Sequence, residues 1–411
     1  MSTITRRDLL RYSITAPASL LLTNLRVLAE PHLKKVKITD VTAMQIKSIA
    51  GNSLVRIKTD SGLTGYGEAG ANGPIARARI DTMKPLLIGQ DPLDIDVHFE
   101  NMSTLMHPYV AHIPTISGID IALWDLAGKI LGVPVSTLLG GRFRDSILMY
   151  AHEGPLKDAL DPASCRDWAR AIRQSPQGFN AFKIGIHPII GVPAARFADT
   201  LDSAQLRNVH RAFNNLREAA GDDIDIAVHC HNELDTPSAI GVAKAVESMN
   251  PLFIEDILNP PFSEAWMAVR RATRVPLLTG EKLELVRQFK PFLDNQAVDY
   301  VHPDLAFAGG FTGTRRIADY AALTRTPVAL HNVGSLVLTY ANAHFGASIK
   351  NFYRSESALD RPDRYVELMA ASDPPLVRNS RLAVPTGPGL GVSLNEEFLR
   401  ANLMENEPYW N

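Results

Sequence analysis

Eight ionisable side chains occupy one repeated kind of place in the second part of this chain. Lys183, His229, His231, Glu255, Glu281, Asp304, His331 and Glu356 each close a short apolar or β-branched run or follow it directly. A lone histidine at a strand end is usually a satisfied structural group, and a lone glutamate is usually a solvated rim residue. Recurrence in successive units changes that reading, because parallel strands closed into a barrel gather their C-terminal ends around one mouth. Grouped there, carboxylates and an imidazole can hold a divalent cation. A histidine beside a carboxylate can act as a general base, and a buried lysine can stabilise an anion as it forms. Two-residue alternation places Ala181 with Lys183 and Gly185, Asp225 with Ala227, His229 and His231, and Ala329 with His331 on common faces. Cys230 falls out of phase with both neighbouring histidines and should point into the packing around the strands.

The elements that must position these groups are strands alternating with helices. Candidate strands run over 147–151, 181–186, 224–229, 252–255, 276–280, 298–301, 327–330 and 351–354, with helical patterns such as 194–219 and 263–272 between them. This order predicts a (β/α)8 barrel over residues 146–375. A doubly wound open sheet competes, but no glycine-rich phosphate fingerprint follows the first strand. Ahead of the barrel, residues 36–46, 53–59 and 64–68 read as an antiparallel meander around the turn Asp60-Ser-Gly62. Helical spacing then runs from about Pro74 to Gly140, clearest at Ile116 to Lys129. A sheet followed by helices predicts an α+β capping domain over 30–145, completed by the loop-rich tail 376–411 packing back on it.

The N-terminus has a different grammar. Thr5-Arg6-Arg7-Asp8-Leu9-Leu10-Arg11 precedes a weakly apolar run, Ile14 to Leu22, and then Val27-Leu28-Ala29. Adjacent arginines, a short apolar run and a small-residue cleavage site, in that order, predict a twin-arginine-type signal over residues 1–29 and a periplasmic protein folded before export. The run is too short and interrupted for a permanent membrane anchor. The chain has 411 residues, with 42 Lys+Arg against 44 Asp+Glu and a net charge of -2. That balance offers no basic field for nucleic acid or anionic lipid, so the expected partner is a small molecule. Two cysteines give no zinc-knuckle spacing.

Several segments carry a resemblance. They are Ala181-Phe-Lys183, Phe253-Ile-Glu255-Asp256, Thr279-Gly-Glu281-Lys282, His302-Pro-Asp304-Leu305 with Ala308-Gly-Gly310, Ala329-Leu-His331-Asn332, and Gly387-Pro-Gly-Leu-Gly391. In this order they resemble the enolase superfamily, mandelate racemase subgroup, and are most similar to sugar-acid dehydratases of the galactonate type. The similarity runs from about Val36 onward.

The resemblance implies an enolase-like barrel with a capping domain, homo-oligomeric assembly, and abstraction of the proton α to a carboxylate. The enediolate so formed is held on a divalent metal, usually Mg2+. It implies Glu255 and Glu281 as metal ligands, His331 oriented by Asp304 as base, Lys183 as enediolate stabiliser, and Glu356 as a contact to the substrate carboxylate. An Arg354 salt bridge is the plain alternative for Glu356.

Two positions depart from the pattern. His229 stands where an aspartate ligand is expected, which softens the site and favours Mn2+ or another divalent ion over Mg2+; a polar core histidine is the competing reading. Gly185 replaces the second lysine, the opposite-face base that a racemase needs, with His187 as a candidate substitute. Elimination needs one base and an acid for the departing hydroxyl, and His231 matches the position of that acid. The expectation is metal-dependent dehydration of an aldonate-like acid to a 2-keto-3-deoxy acid. Alternatives are a cycloisomerase or lyase on an unusual uronate or anhydro-sugar acid, and a periplasmic sugar-acid binding protein on a degenerate barrel. Asn52, Asn72 and His152 are candidates for sugar-hydroxyl contacts.

Overall fold

The computed structural model describes residues 36–47, 51–105, 107, 111–192, 200–231, 234–357, 368–370 and 376–410. The export-signal reading of residues 1–29 lies outside these residues. Among the described residues no helix is long and apolar enough to cross a membrane.

Strands β1 (Ile38–Met44), β2 (Ser53–Thr59) and β3 (Thr64–Ala69) form an antiparallel meander. Its inner face packs on the helix Ile113–Leu131, which starts with a proline in its first turn and stops at Gly132 in the left-handed conformation. Sheet and helix touch backbone to backbone. A Cβ at Gly67 would lie 2.1 Å from the Gly118 carbonyl oxygen, so glycine is the residue that permits this approach.

Two buried carboxylates on this helix tie the capping unit to the rest. Asp125 accepts hydrogen bonds from Tyr66 N and Leu390 N, both at 2.8 Å, and from Lys129 Nζ at 2.6 Å. Asp120 accepts from Thr312 N at 3.1 Å. Burial outweighs the bonds from Thr312 and pushes Asp120 from 3.8 up to about 7. A carboxyl raised in the folded state contributes stability below its ordinary value, and that contribution is lost as pH rises through about 7. Asp120→Asn is therefore expected to gain about 3 kcal/mol on the parent between pH 5 and pH 8.5. Urea midpoints at both pH values measure this, and a pH-independent difference would refute it.

The barrel consists of β4 (Ser146–His152), β5 (Ala181–Gly185), β6 (Asp225–His229), β7 (Ile254–Glu255), β8 (Leu277–Thr279), β9 (Tyr300–Val301), β10 (Val328–Leu330) and β11 (Phe352–Glu356). Neighbours pair in parallel, and β11 closes the ring on β4 through Ser355 to Met149 and Glu356 to Tyr150. Tyr150, Ala181, Ala227, Phe253, Leu278 and Ala329 form an apolar cluster inside it. Two residues further along their own strands, hence on the same face, come His152, Lys183, His229, Glu255, Gly280 and His331. An apolar layer therefore underlies an ionisable layer at the C-terminal mouth. Cys230 lies buried in the larger cluster between strands and outer helices, as its phase requires.

The tail divides between the two units, where sequence placed it on the capping unit alone. β11 pairs with β4 only at Met149 and Tyr150, which leaves the start of β4 open. The hairpin β12 (Val377–Arg378) and β13 (Arg381–Ala383) fills that edge, with Arg381 to Ala383 antiparallel to Leu148 to Ser146. The residues beyond return to the cap: Leu390 N reaches Asp125, Lys47 N donates to Asn402 O at 2.7 Å, and Arg56 Nη2 donates to Trp410 O at 3.1 Å.

Candidate active site

Each ionisable group at the mouth is placed by local backbone geometry. Lys183 sits on β5, and its Nζ lies 2.7 Å from Glu255 Oε1 and 2.6 Å from Glu356 Oε1. Both carboxylates are fully buried. Glu356 Oε1 also takes a short contact from His152 Nε2. Glu281 follows Gly280, whose φ is 145° and whose Cβ would lie 2.6 Å from the Phe289 ring and 2.9 Å from His302 N. That glycine lets the chain swing Glu281 over the mouth. Asp304 follows β9, and its Oδ1 accepts from Ala306 N at 2.7 Å. Its Oδ2 accepts from His331 Nδ1 at 2.6 Å. His331 Nε2 then faces Glu281 Oε2 at 3.4 Å and Glu356 Oε2 at 3.6 Å.

His229 and His231 both arrive at this mouth by different means. β6 ends at His229, and His231 has a left-handed backbone with φ 56°. Strict alternation therefore stops before His231, yet its Nε2 lies 3.8 Å from Glu281 Oε1. The two imidazoles stand edge to face at 5.2 Å between centroids. A cavity of about 590 Å3 is lined by His152, Lys183, His229, His231, Glu281 and His331. Glu153, Glu356, Phe307, Val333 and Lys282 complete its wall.

A second cavity of about 780 Å3 adjoins at Gly185, where an added Cβ meets nothing within 4 Å. His187 opens the short helix His187–Ile190 and lies behind His231, ring centroids 6.1 Å apart. It lines this second cavity and not the first.

The remaining sequence candidates have other employment. Asn72 caps the helix Gly73–Leu87 through Ile75 N. Asn52 is buried and donates from Nδ2 to Glu68 Oε1 at 2.8 Å. Arg354 pairs with Asp225 at 2.6 Å instead of with Glu356. His302 and Tyr150 were not singled out from sequence as site residues. His302 is fully buried beneath the cavity, and its Nε2 lies 3.4 Å from the Tyr150 hydroxyl. The sequence signal for His302 is its place directly after β9, where it opens the His-Pro-Asp segment two residues ahead of Asp304.

The electrostatics couple these groups. Burial works against the charge on Lys183, but Glu255 and Glu356 outweigh it and keep the ammonium charged. Burial disfavours ionised Glu356, yet Lys183, His331 and His152 hold it well below the ordinary carboxylate range. It is a fixed anion here, not a protonated donor to a substrate carboxylate. His331 opposes its own burial through Glu356, Glu281 and Asp304 and reaches about 10. Burial, with Lys183 and His231 nearby, keeps His229 well below its usual value and hence neutral, as a ligand nitrogen must be.

The donor set suits a divalent ion. His229, Glu255 and Glu281 each offer one atom, and these atoms lie within 4.8 Å of one another. His229 Nε2 and Glu255 Oε2 are buried without hydrogen-bond partners, which is costly unless a cation answers them. Two carboxylates with one imidazole are softer than three carboxylates. His229→Asp is accordingly expected to raise Mg2+ affinity by about tenfold relative to Mn2+ or Zn2+. Competitive metal titration checks this, and an unchanged preference would remove His229 from the ligand set.

An enolase-like barrel under an α+β cap, with lysine, carboxylates and a histidine–aspartate pair at its mouth, defines a class of proteins before any comparison. Residues 26–140 match the mandelate racemase/muconate lactonizing enzyme N-terminal domain, and residues 166–398 match the enolase C-terminal domain-like family. The chain belongs to the mandelate racemase/muconate lactonizing enzyme group of the enolase superfamily.

Among its relatives is a protein named D-xylonate dehydratase from Haloferax volcanii, 33% identical over 90% of this chain and 91% of the relative. Another, named D-galactonate dehydratase, comes from Xanthomonas campestris and is 30% identical over 87% of this chain and 92% of the relative. A solved mandelate racemase/muconate lactonizing enzyme-like protein from Rubrobacter xylanophilus superposes with TM-score 0.83 at 30% identity, covering 92% of this chain and all of its own.

Proposed function

We propose that this chain is a hydro-lyase that dehydrates an aldonate-like sugar acid to a 2-keto-3-deoxy acid. The observation that carries this reading is one oriented histidine–aspartate pair, His331 and Asp304, facing a cavity that no second lysine of β5 enters, since Gly185 stands at that position beside the adjoining cavity. One-sided proton chemistry fits elimination better than racemisation. The naming of relatives as xylonate, gluconate and galactonate dehydratases supports the substrate class.

A divalent ion held by Glu255, Glu281 and His229 would bind the substrate carboxylate, take up negative charge as the enediolate forms, and offset the carboxylates that raise His331. His331, with its ring fixed by Asp304, takes the α proton on Nε2. Lys183 Nζ places a positive charge beside the developing oxyanion. His231 gives a proton to the β-hydroxyl, the β carbon–oxygen bond breaks, and water leaves. The resulting enol tautomerises to the keto acid. Phe307 and Val333 give this cavity an apolar part of its wall.

Incubating the metal-supplemented protein with a panel of pentonates, hexonates and uronates, and following 2-keto acid formation, tests the reading. Turnover of at least one aldonate is expected. Binding without turnover across the panel would favour a sugar-acid binding protein, and rearranged products without loss of water would favour a cycloisomerase. The reading includes homo-oligomeric assembly and twin-arginine export of residues 1–29 to the periplasm. A reporter fusion should be exported, and replacing Arg6 and Arg7 with lysine should retain it in the cytoplasm.

A further inference from the structure

At the base of the cavity, four buried groups form a closed ring, of which Lys183 and Glu356 reach the cavity wall. On one side Lys183 Nζ bridges Glu255 Oε1 and Glu356 Oε1 at 2.7 and 2.6 Å. On the other side His302 Nε2 stands 3.8 Å from Glu255 Oε2 and 3.6 Å from Glu356 Oε2. These spans are too long for hydrogen bonds. They lie near the ~3.4 Å that two ligands keep when each is about 2.1 Å from a common tetrahedral ion. Glu255, His302 and Glu356 are all fully buried, and one ligand atom from each lies within 4.8 Å of the others.

Two observations point to a cation at this place. Glu255 Oε2 faces the gap with no hydrogen-bond partner although Glu255 is fully buried. His302 Nδ1 lies 2.9 Å from Ala329 O, and a carbonyl only accepts, so Nδ1 carries a proton and the ring so fixed turns Nε2 toward the gap, where the Tyr150 hydroxyl also lies 3.4 Å from it. A backbone carbonyl fixing the far nitrogen is the usual support of a metal-bound imidazole.

We infer that Glu255, His302 and Glu356 form a second, inner divalent-metal site, sharing Glu255 with the outer ligands His229 and Glu281. One imidazole with two carboxylates selects Zn2+ or Mn2+ over Mg2+. Under the cavity floor the inner ion serves to neutralise Glu255 and Glu356 and to hold their outer oxygens in place.

The test is metal stoichiometry, read without reference to turnover. The full chain, stripped and then equilibrated with Mn2+ or Zn2+ alone, is expected to retain about two equivalents, and His302→Gln about one. His302→Cys, which keeps a metal-binding side chain, should restore the second equivalent with Zn2+. Anomalous scattering from crystals soaked in Mn2+ should give two peaks about 4 Å apart, and this holds even where a variant folds poorly. A single equivalent in the parent, or an unchanged count in a folded His302→Gln, overturns the inner site and shows that a proton on His302 fills the gap instead. Keto-acid formation by a chain carrying only the outer ion would leave the proposed dehydration standing while removing this inference.

Discussion

Replacing His331 with alanine is expected to lower kcat for dehydration by about 10³- to 10⁴-fold, the upper part of the range for a positioned general base. The expectation rests on geometry. Nδ1 is held at 2.6 Å by Asp304 Oδ2, so the ring cannot turn, and Nε2 is presented at the cavity beside Glu281 and Glu356. The substitution also leaves Asp304 Oδ2 buried without its partner, which costs about 1–3 kcal/mol. A thermal midpoint therefore has to accompany the rate. Deuterium exchange at the α carbon in heavy water separates base from acid. His331→Ala should abolish exchange and elimination together, while His231→Ala should keep exchange and lose elimination. Exchange persisting in folded His331→Ala would refute the assignment of the base.

Lys183→Met is expected to act twice. Chemically it removes the cation closest to the developing oxyanion, a loss of about 10²- to 10³-fold in kcat by analogy with removal of one preorganised donor. Structurally it strands two buried carboxylates, since Glu255 and Glu356 both rest on this ammonium. Breaking a buried pair by removing one partner costs about 3–5 kcal/mol, and here one lysine serves two anions. Unfolding measured without metal should show that loss. Added Mn2+ should recover more stability in the variant than in the parent, because the stranded carboxylates then have a cation to bind. A variant as stable as the parent in the absence of metal would mean that Glu255 and Glu356 are not both ionised.

Much of this site was legible in the chain because strand periodicity is local. Tyr150 and His152, Ala181 and Lys183, Ala227 and His229, Phe253 and Glu255, and Ala329 and His331 are each two residues apart, so an apolar layer beneath an ionisable one follows from alternation alone. The absence of a second lysine at Gly185 and the imidazole at position 229 became legible only against the pattern that the family resemblance supplied.

Tertiary structure decided which of these groups meet. Glu356 is 204 positions from His152 and Glu255 is 72 from Lys183, and only closure of β11 on β4 brings them to one ring. It also turned His231 and Asp256 out of strand phase through left-handed backbones, and hydrogen-bonded Asp256 to Thr279 Oγ1 at 2.7 Å while its neighbour Glu255 faces the site. It set His302 beneath the floor and sent the hairpin of the tail to the open edge of β4. Spacing along a chain fixes which way a side chain leaves its own strand. Which partner it finds depends on register and closure between strands far apart in sequence, and these are set by the packing of the whole barrel.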